Sequence, residues 1–159
     1  MSDVSAAVMA RKIAETTETA TGAFRPEFLK LVDLMCWDAV AYFAYLAKMI
    51  EESKFESIKG GSAAKNLVST SHQQARNATT IPEGHAIGFF TDNNEIIHAM
   101  LSIGGSKACG TKNACIGIGG PVGWEMLDLT TLQSHADGTF GPRKLRIFHR
   151  PLSQAARDL

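Results

Sequence analysis

From Ala39 to Ala47 the chain reads AVAYFAYLA, nine residues without a charge, set between Asp38 and Lys48. Such a run has to be hidden from water, and it is far too short to span a bilayer. It therefore predicts a helix in the core of a folded domain. The helical pattern begins near Glu27, with Pro26 suited to the first turn, and runs to about Ser53, where Glu51 and Glu52 mark a solvated end. A break is expected at Asp33 to Met35, immediately before Cys36-Trp37. A cysteine at a helix start feels the positive end of the helix dipole, which favours the nucleophilic thiolate.

The chain has 159 residues, 45% hydrophobic and 20% charged, enough for one domain with its own core. Sixteen basic and sixteen acidic residues cancel, so the balance points to neither nucleic acid nor an anionic membrane as partner. The first residues lack the apolar core of a signal peptide. Three cysteines (Cys36, Cys109, Cys115), with no C-x-x-C pair, argue against a disulfide scaffold and for synthesis in the reducing cytoplasm. Residues 1–24 read as an extension or a short helix around Ala6 to Ala14, followed by Thr- and Gly-rich sequence, ahead of a single domain over 25–159.

After Pro82 the pattern becomes strand-like: His85 to Thr91, Glu95 to Ile103, Lys107 to Thr111, Ala114 to Ile118, Trp124 to Leu129 and Leu145 to His149. Residues Ser62 to Thr80 are polar, a short helix plus loop. Helices first and strands later predict an α+β domain with helices packed on an antiparallel sheet. A hairpin turning at Asn93-Asn94 sets His98 opposite Phe89. The next hairpin has two candidate turns. Gly105-Ser106, as a type II′ turn, puts Asn113 directly opposite His98, and Gly104-Gly105 makes the two diagonal neighbours. In either register Asn113 can orient the imidazole. His85 is the competing base, about 13 Å from His98 along the same face. Asp128 is the reserve third residue.

These residues resemble the papain-like superfamily, in particular NlpC-type cell-wall peptidases. There the nucleophile opens a buried helix as Cys-Ser-Gly-Phe-Val with an aromatic two positions on; here Cys36-Trp37-Asp38-Ala39-Val40 is followed by Tyr42. Downstream, Pro82-Glu83-Gly84, Phe89-Phe90, a turn at Asp92 to Asn94 and then His98 follow the family's strand–turn–His order. Trp37-Asp38 replaces the family's Ser-Gly. The resemblance, covering about Met35 to Asn113, implies a papain-like fold and amide hydrolysis without a cofactor. Cys36 is the implied nucleophile, His98 the base and Asn113 the orienter, with the Cys36 N–H as one oxyanion donor. It further implies a peptidoglycan peptide or a protein as substrate, a secretion-system effector as setting, and a cognate inhibitor or immunity protein as partner.

Other readings of the same residues stand beside these. A deamidase or transglutaminase-like toxin differs only in what resolves the thioester. A non-catalytic binding or immunity module would keep Cys36 in the core, on one helical face with Ala39, Val40 and Phe43. Cys109 and Cys115 match no zinc spacing and read as core or sheet residues. Gly117 to Gly123 lacks the ending of a phosphate loop and reads as a turn rimming the cleft. Arg143, Lys144, Arg146 and Arg150 read as a solvated basic edge.

Overall fold

The computed structural model describes residues 2–15, 24–121 and 123–159; the Thr- and Gly-rich sequence after α1 and Val122 lie outside them. Its helices are α1 (Asp3–Glu15), α2 (Arg25–Val32), α3 (Cys36–Leu46), α4 (Glu52–Ile58) and α5 (Leu152–Ala155). The strands are β1 (Gln73–Ala75), β2 (His85–Phe90), β3 (Ile96–Gly104), β4 (Lys107–Thr111), β5 (Trp124–Asp128) and β6 (Arg146–Pro151). They form one sheet in the order β1-β6-β2-β3-β4-β5, antiparallel throughout. The α+β expectation thus describes the molecule.

The uncharged run does form the core helix. Every residue of α3 from Cys36 to Ala44 is buried, and the Phe43 ring stacks on Trp124 with centroids 4.9 Å apart. The break before it falls where expected, with extended backbone at Met35 capping the helix start. Its end does not. Lys48 adopts a left-handed conformation (φ 62), and the Lys48 and Met49 N–H groups donate back to Tyr45 O and Ala44 O. This is a Schellman closure, so Glu51 and Glu52 cap and open a separate helix, α4, rather than finishing α3.

On the helical side, α1 is built into the core. Ala6, Ala7, Ala10 and Ile13 are fully buried, and the Trp124 indole N–H donates to Ala10 O at 3.0 Å. Asp3 accepts from both the backbone N–H and the hydroxyl of Ser153, tying the first helix to the last. The opposite face of the sheet is covered by loops. Ile87, Phe89, Met100 and Ile147 pack there against Ile81, Leu132, Phe140 and Leu145.

Three expectations are corrected. The strand read at Ala114 to Ile118 is a 3₁₀ turn over Asn113–Ile116, bounded by left-handed Lys112 and Gly117. Left-handed residues at both ends of so short a segment cannot be accommodated in an extended strand. Polar β1 sits inside the stretch read as helix and loop, paired to β6 at the sheet edge. The basic cluster is not one solvated edge: Arg150 is buried, donating to Leu67 O (2.6 Å) and Asn66 O (3.0 Å) and paired with Asp158.

Lys48 occupies the left-handed position with a side chain that glycine would not have to strain. Lys48→Gly is expected to stabilise the protein by about 1 kcal/mol, read as a raised urea midpoint at unchanged m. A lower midpoint would contradict the Schellman closure.

Candidate active site

Cys36 is the first residue of α3 and is 6% exposed. The N–H groups of Ala99, on β3, of Trp37 and of Cys36 itself lie near enough to its thiol to favour the thiolate. Ala99 follows His98 directly, so the helix start is seated against the strand segment that carries the histidine. The β3–β4 ladder ends at Leu101–Cys109. Beyond it, toward Ile97, the β3 backbone finds other partners. The Ile97 carbonyl is approached by the Cys115 thiol, at 4.0 Å.

His98 is fully buried. It lies opposite Phe89, as expected but by another route. The hairpin closes on Thr91–Glu95 around Asp92 to Asn94 rather than at Asn93-Asn94, and an irregularity between Phe89 and Phe90 restores the pairing. The Phe89 and His98 ring centroids are 5.6 Å apart. His98 Nε2 is 2.9 Å from Asn113 Oδ1. The Asn113 amide is oriented by its other end, where Nδ2 donates to Gly110 O at 2.9 Å and lies 3.4 Å from Glu125 Oε1. A carbonyl oxygen can only accept, so the hydrogen of the neutral imidazole sits on Nε2 and Nδ1 is a bare acceptor. That Nδ1 is shielded from solvent and has no hydrogen-bond partner.

Asn113 reaches His98 by a route other than either expected register. The turn is Gly105-Ser106, but with φ of 60 and 68 it is type I′ rather than II′. An irregularity between Ser102 and Gly104 then shifts the ladder, so that Ser102 pairs with Ala108 and Leu101 with Cys109. A strand continued in that register would place Lys112 opposite His98 and turn Asn113 to the other face. Left-handed Lys112 (φ 57) ends the strand and brings the Asn113 amide back.

Around Asn113 the Gly-rich loop closes as a collar. Gly120 N–H donates to Glu125 Oε1 at 2.8 Å, and Ala114 N–H to Gly120 O at 3.1 Å. A Cβ on Gly119 would meet Leu127 Cδ1 at 2.8 Å and Asn113 Cβ at 3.1 Å. Lys112 Nζ donates to Val32 O (3.0 Å) and Leu34 O (2.6 Å), in the loop leading to Cys36. Neither Glu125 nor Lys112 was signalled by sequence, since their partners depend on the irregular register and the left-handed turn.

The remaining candidates lie elsewhere. His85 Nδ1 is 2.9 Å from His149 Nδ1, a separate imidazole pair beside a groove of about 630 Å³. Asp128 accepts from Ser106 Oγ, Thr130 N–H and Thr130 Oγ1; it caps the next turn and orients no histidine. Cys109 is a core residue, whereas Cys115 is exposed. Among the described residues no group of three His, Cys, Asp or Glu side chains is arranged to hold a metal ion. No helix there is long and apolar enough to cross a membrane. No protein-family model matches this chain, and no curated protein matches it.

Burial dominates the electrostatics. It pushes the Cys36 thiol up to about 11, against the partial relief of the Ala99, Trp37 and Cys36 N–H groups. It pushes His98 down to about 4, with the Asn113 hydrogen bond acting the other way. In the folded protein the Cys36 thiol and the His98 imidazole are therefore each neutral.

This has a consequence for stability. An unfolded histidine takes up its proton near pH 6.5, and buried His98 does not until about 4. The unfolded state thus binds more protons in that window, and stability falls as pH drops from 6.5 to 4. His98 alone accounts for about 3 kcal/mol of the loss, and the His149 imidazole, also pushed down to about 4 by burial and by His85, adds to it. Urea midpoints measured from pH 7 to 4 are expected to fall, with a shallower fall in His98→Gln. An equal slope in both proteins would contradict a buried, neutral His98.

Proposed function

We propose that the protein is a cysteine hydrolase that cleaves an amide bond through a thioester on Cys36. The observation that carries the reading is His98: its Nε2–H is held by Asn113, its Nδ1 is bare, and the Cys36 thiol contacts the next residue of the same strand. In this mechanism Nδ1 takes the thiol proton as sulfur attacks the carbonyl carbon. It then returns that proton to the leaving amine, and water, deprotonated by the same nitrogen, releases the acid. Asn113 keeps the ring in the required tautomer throughout, the role of the third member of a triad. The thiolate–imidazolium pair forms when substrate or an opening motion admits polar surroundings, because both groups are neutral in the buried state. The NlpC-like and papain-like order of Cys36, Phe89-Phe90 and His98 supports peptidoglycan peptides as first substrates, with the protein acting as an exported antibacterial effector.

A second reading has its own support: the near-complete burial of Cys36 and His98 suits a binding or immunity module in which both are core residues. Thiol chemistry separates the two. In the hydrolase, iodoacetamide labels Cys36 at neutral pH about tenfold faster in wild type than in His98→Ala. On peptidoglycan stem peptides, Cys36→Ala abolishes hydrolysis with little change in melting temperature, and Asn113→Ala lowers turnover about 10²-fold. Labelling that ignores His98 and follows an ordinary thiol would overturn the hydrolase in favour of the core reading.

A further inference from the structure

Two structural units have to be aligned for the proposed chemistry: the loop that delivers Cys36 and the turn that delivers Asn113 to His98. They are far apart in sequence and belong to different layers of the fold. One side chain joins them directly. Lys112 Nζ donates to Val32 O at 3.0 Å and to Leu34 O at 2.6 Å. Val32 is the last residue of α2, where Lys30 O and Leu31 O accept from the Asp33 and Leu34 N–H groups and Val32 O takes the Lys112 ammonium, and Leu34 lies two residues before the nucleophile. The other end of Lys112 is the backbone that passes into Asn113.

The backbone at Lys112 favours a different residue. With φ 57 and ψ 41 it lies in the left-handed region, where glycine or asparagine is accommodated most easily. Lysine brings to that position an ammonium with three donors on a long stem, and two of those donors satisfy carbonyls of the Cys36 loop. The backbone conformation turns Asn113 toward His98, and the side chain holds the nucleophile loop. A single residue performs both tasks.

We infer that Lys112 is a positioning residue that sets the Cys36 thiol against the His98–Asn113 pair by clamping the α2–α3 loop. The inference rests on the hydrolase reading and assigns Lys112 no contact with substrate. Losing the ammonium lets the loop shift relative to β3, so the thiol no longer senses the imidazole. Exchanging lysine for arginine keeps cationic donors in reach of the same carbonyls. Exchanging it for glycine relieves the backbone and removes the clamp, which separates the two tasks.

The test is a double-mutant cycle on full-length protein, reading iodoacetamide labelling of Cys36 at neutral pH by mass spectrometry. Lys112→Met, Lys112→Arg and Lys112→Gly are each made with and without His98→Ala. Lys112→Met and Lys112→Gly are expected to label about tenfold more slowly than wild type, with His98→Ala adding less than about twofold in those backgrounds. Lys112→Arg restores both the rate and its dependence on His98. Should Lys112→Met unfold at the assay temperature, the Arg and Gly variants carry the comparison. A Lys112→Gly protein that labels like wild type, with the full effect of His98→Ala, would overturn the clamp and leave the hydrolase intact. An absence of any His98→Ala effect in wild type would overturn the hydrolase reading and the clamp with it.

Discussion

The hydrogen bond from His98 Nε2 to Asn113 Oδ1, 2.9 Å long and fully buried, is the contact on which the rest of the site depends. It decides which nitrogen of the ring carries the hydrogen, and so which is left as a base. Everything near it fixes the Asn113 amide. Gly110 and Glu125 receive its Nδ2, the 117–121 loop packs around it, and Lys112 turns its backbone out of the strand. An asparagine free to flip would present an NH₂ group to the ring and favour the opposite tautomer. The neighbouring structure removes that freedom.

The same burial that fixes the tautomer opposes charge. Burial pushes the Cys36 thiol up to about 11 and the His98 imidazole down to about 4, so each is neutral in the folded protein. The helix dipole and three N–H groups around Cys36 favour a thiolate, but desolvation outweighs them in the folded protein. On the hydrolase reading, such a thiol is quiet until its surroundings become polar. On the same reading, opening of the site is part of the proposed reaction, and one arrangement serves both as a well-packed core and as a latent centre.

Much of this was legible in the sequence where local chemistry decides the outcome. The uncharged run after Cys36 had one place to go. Phe89 does face His98, but the hairpin closes on Thr91–Glu95 around Asp92 to Asn94, and an irregularity between Phe89 and Phe90 that no local pattern records restores the pairing. The pairing of His98 with Asn113 was legible as a contact but not as a path. The register shift between Ser102 and Gly104 and the left-handed Lys112 arise from packing, not from any residue preference, and a slip of one residue turns a side chain to the other face. Lys48 hid the end of α3 for a similar reason, since lysine gives no sign of a left-handed cap. The His85–His149 pair depends on β6 lying beside β2, a long-range neighbour relation that no local pattern records.

The central claim is the protonation state of one ring, and nitrogen NMR reads it directly. Long-range proton–nitrogen correlation spectra of the histidines at neutral pH, with His98 assigned by its substitution, are predicted to show hydrogen on Nε2 and a bare Nδ1. In Asn113→Ala that preference is lost. A His98 that carries its hydrogen on Nδ1, or that titrates as an ordinary exposed imidazole near pH 6.5, would contradict the account.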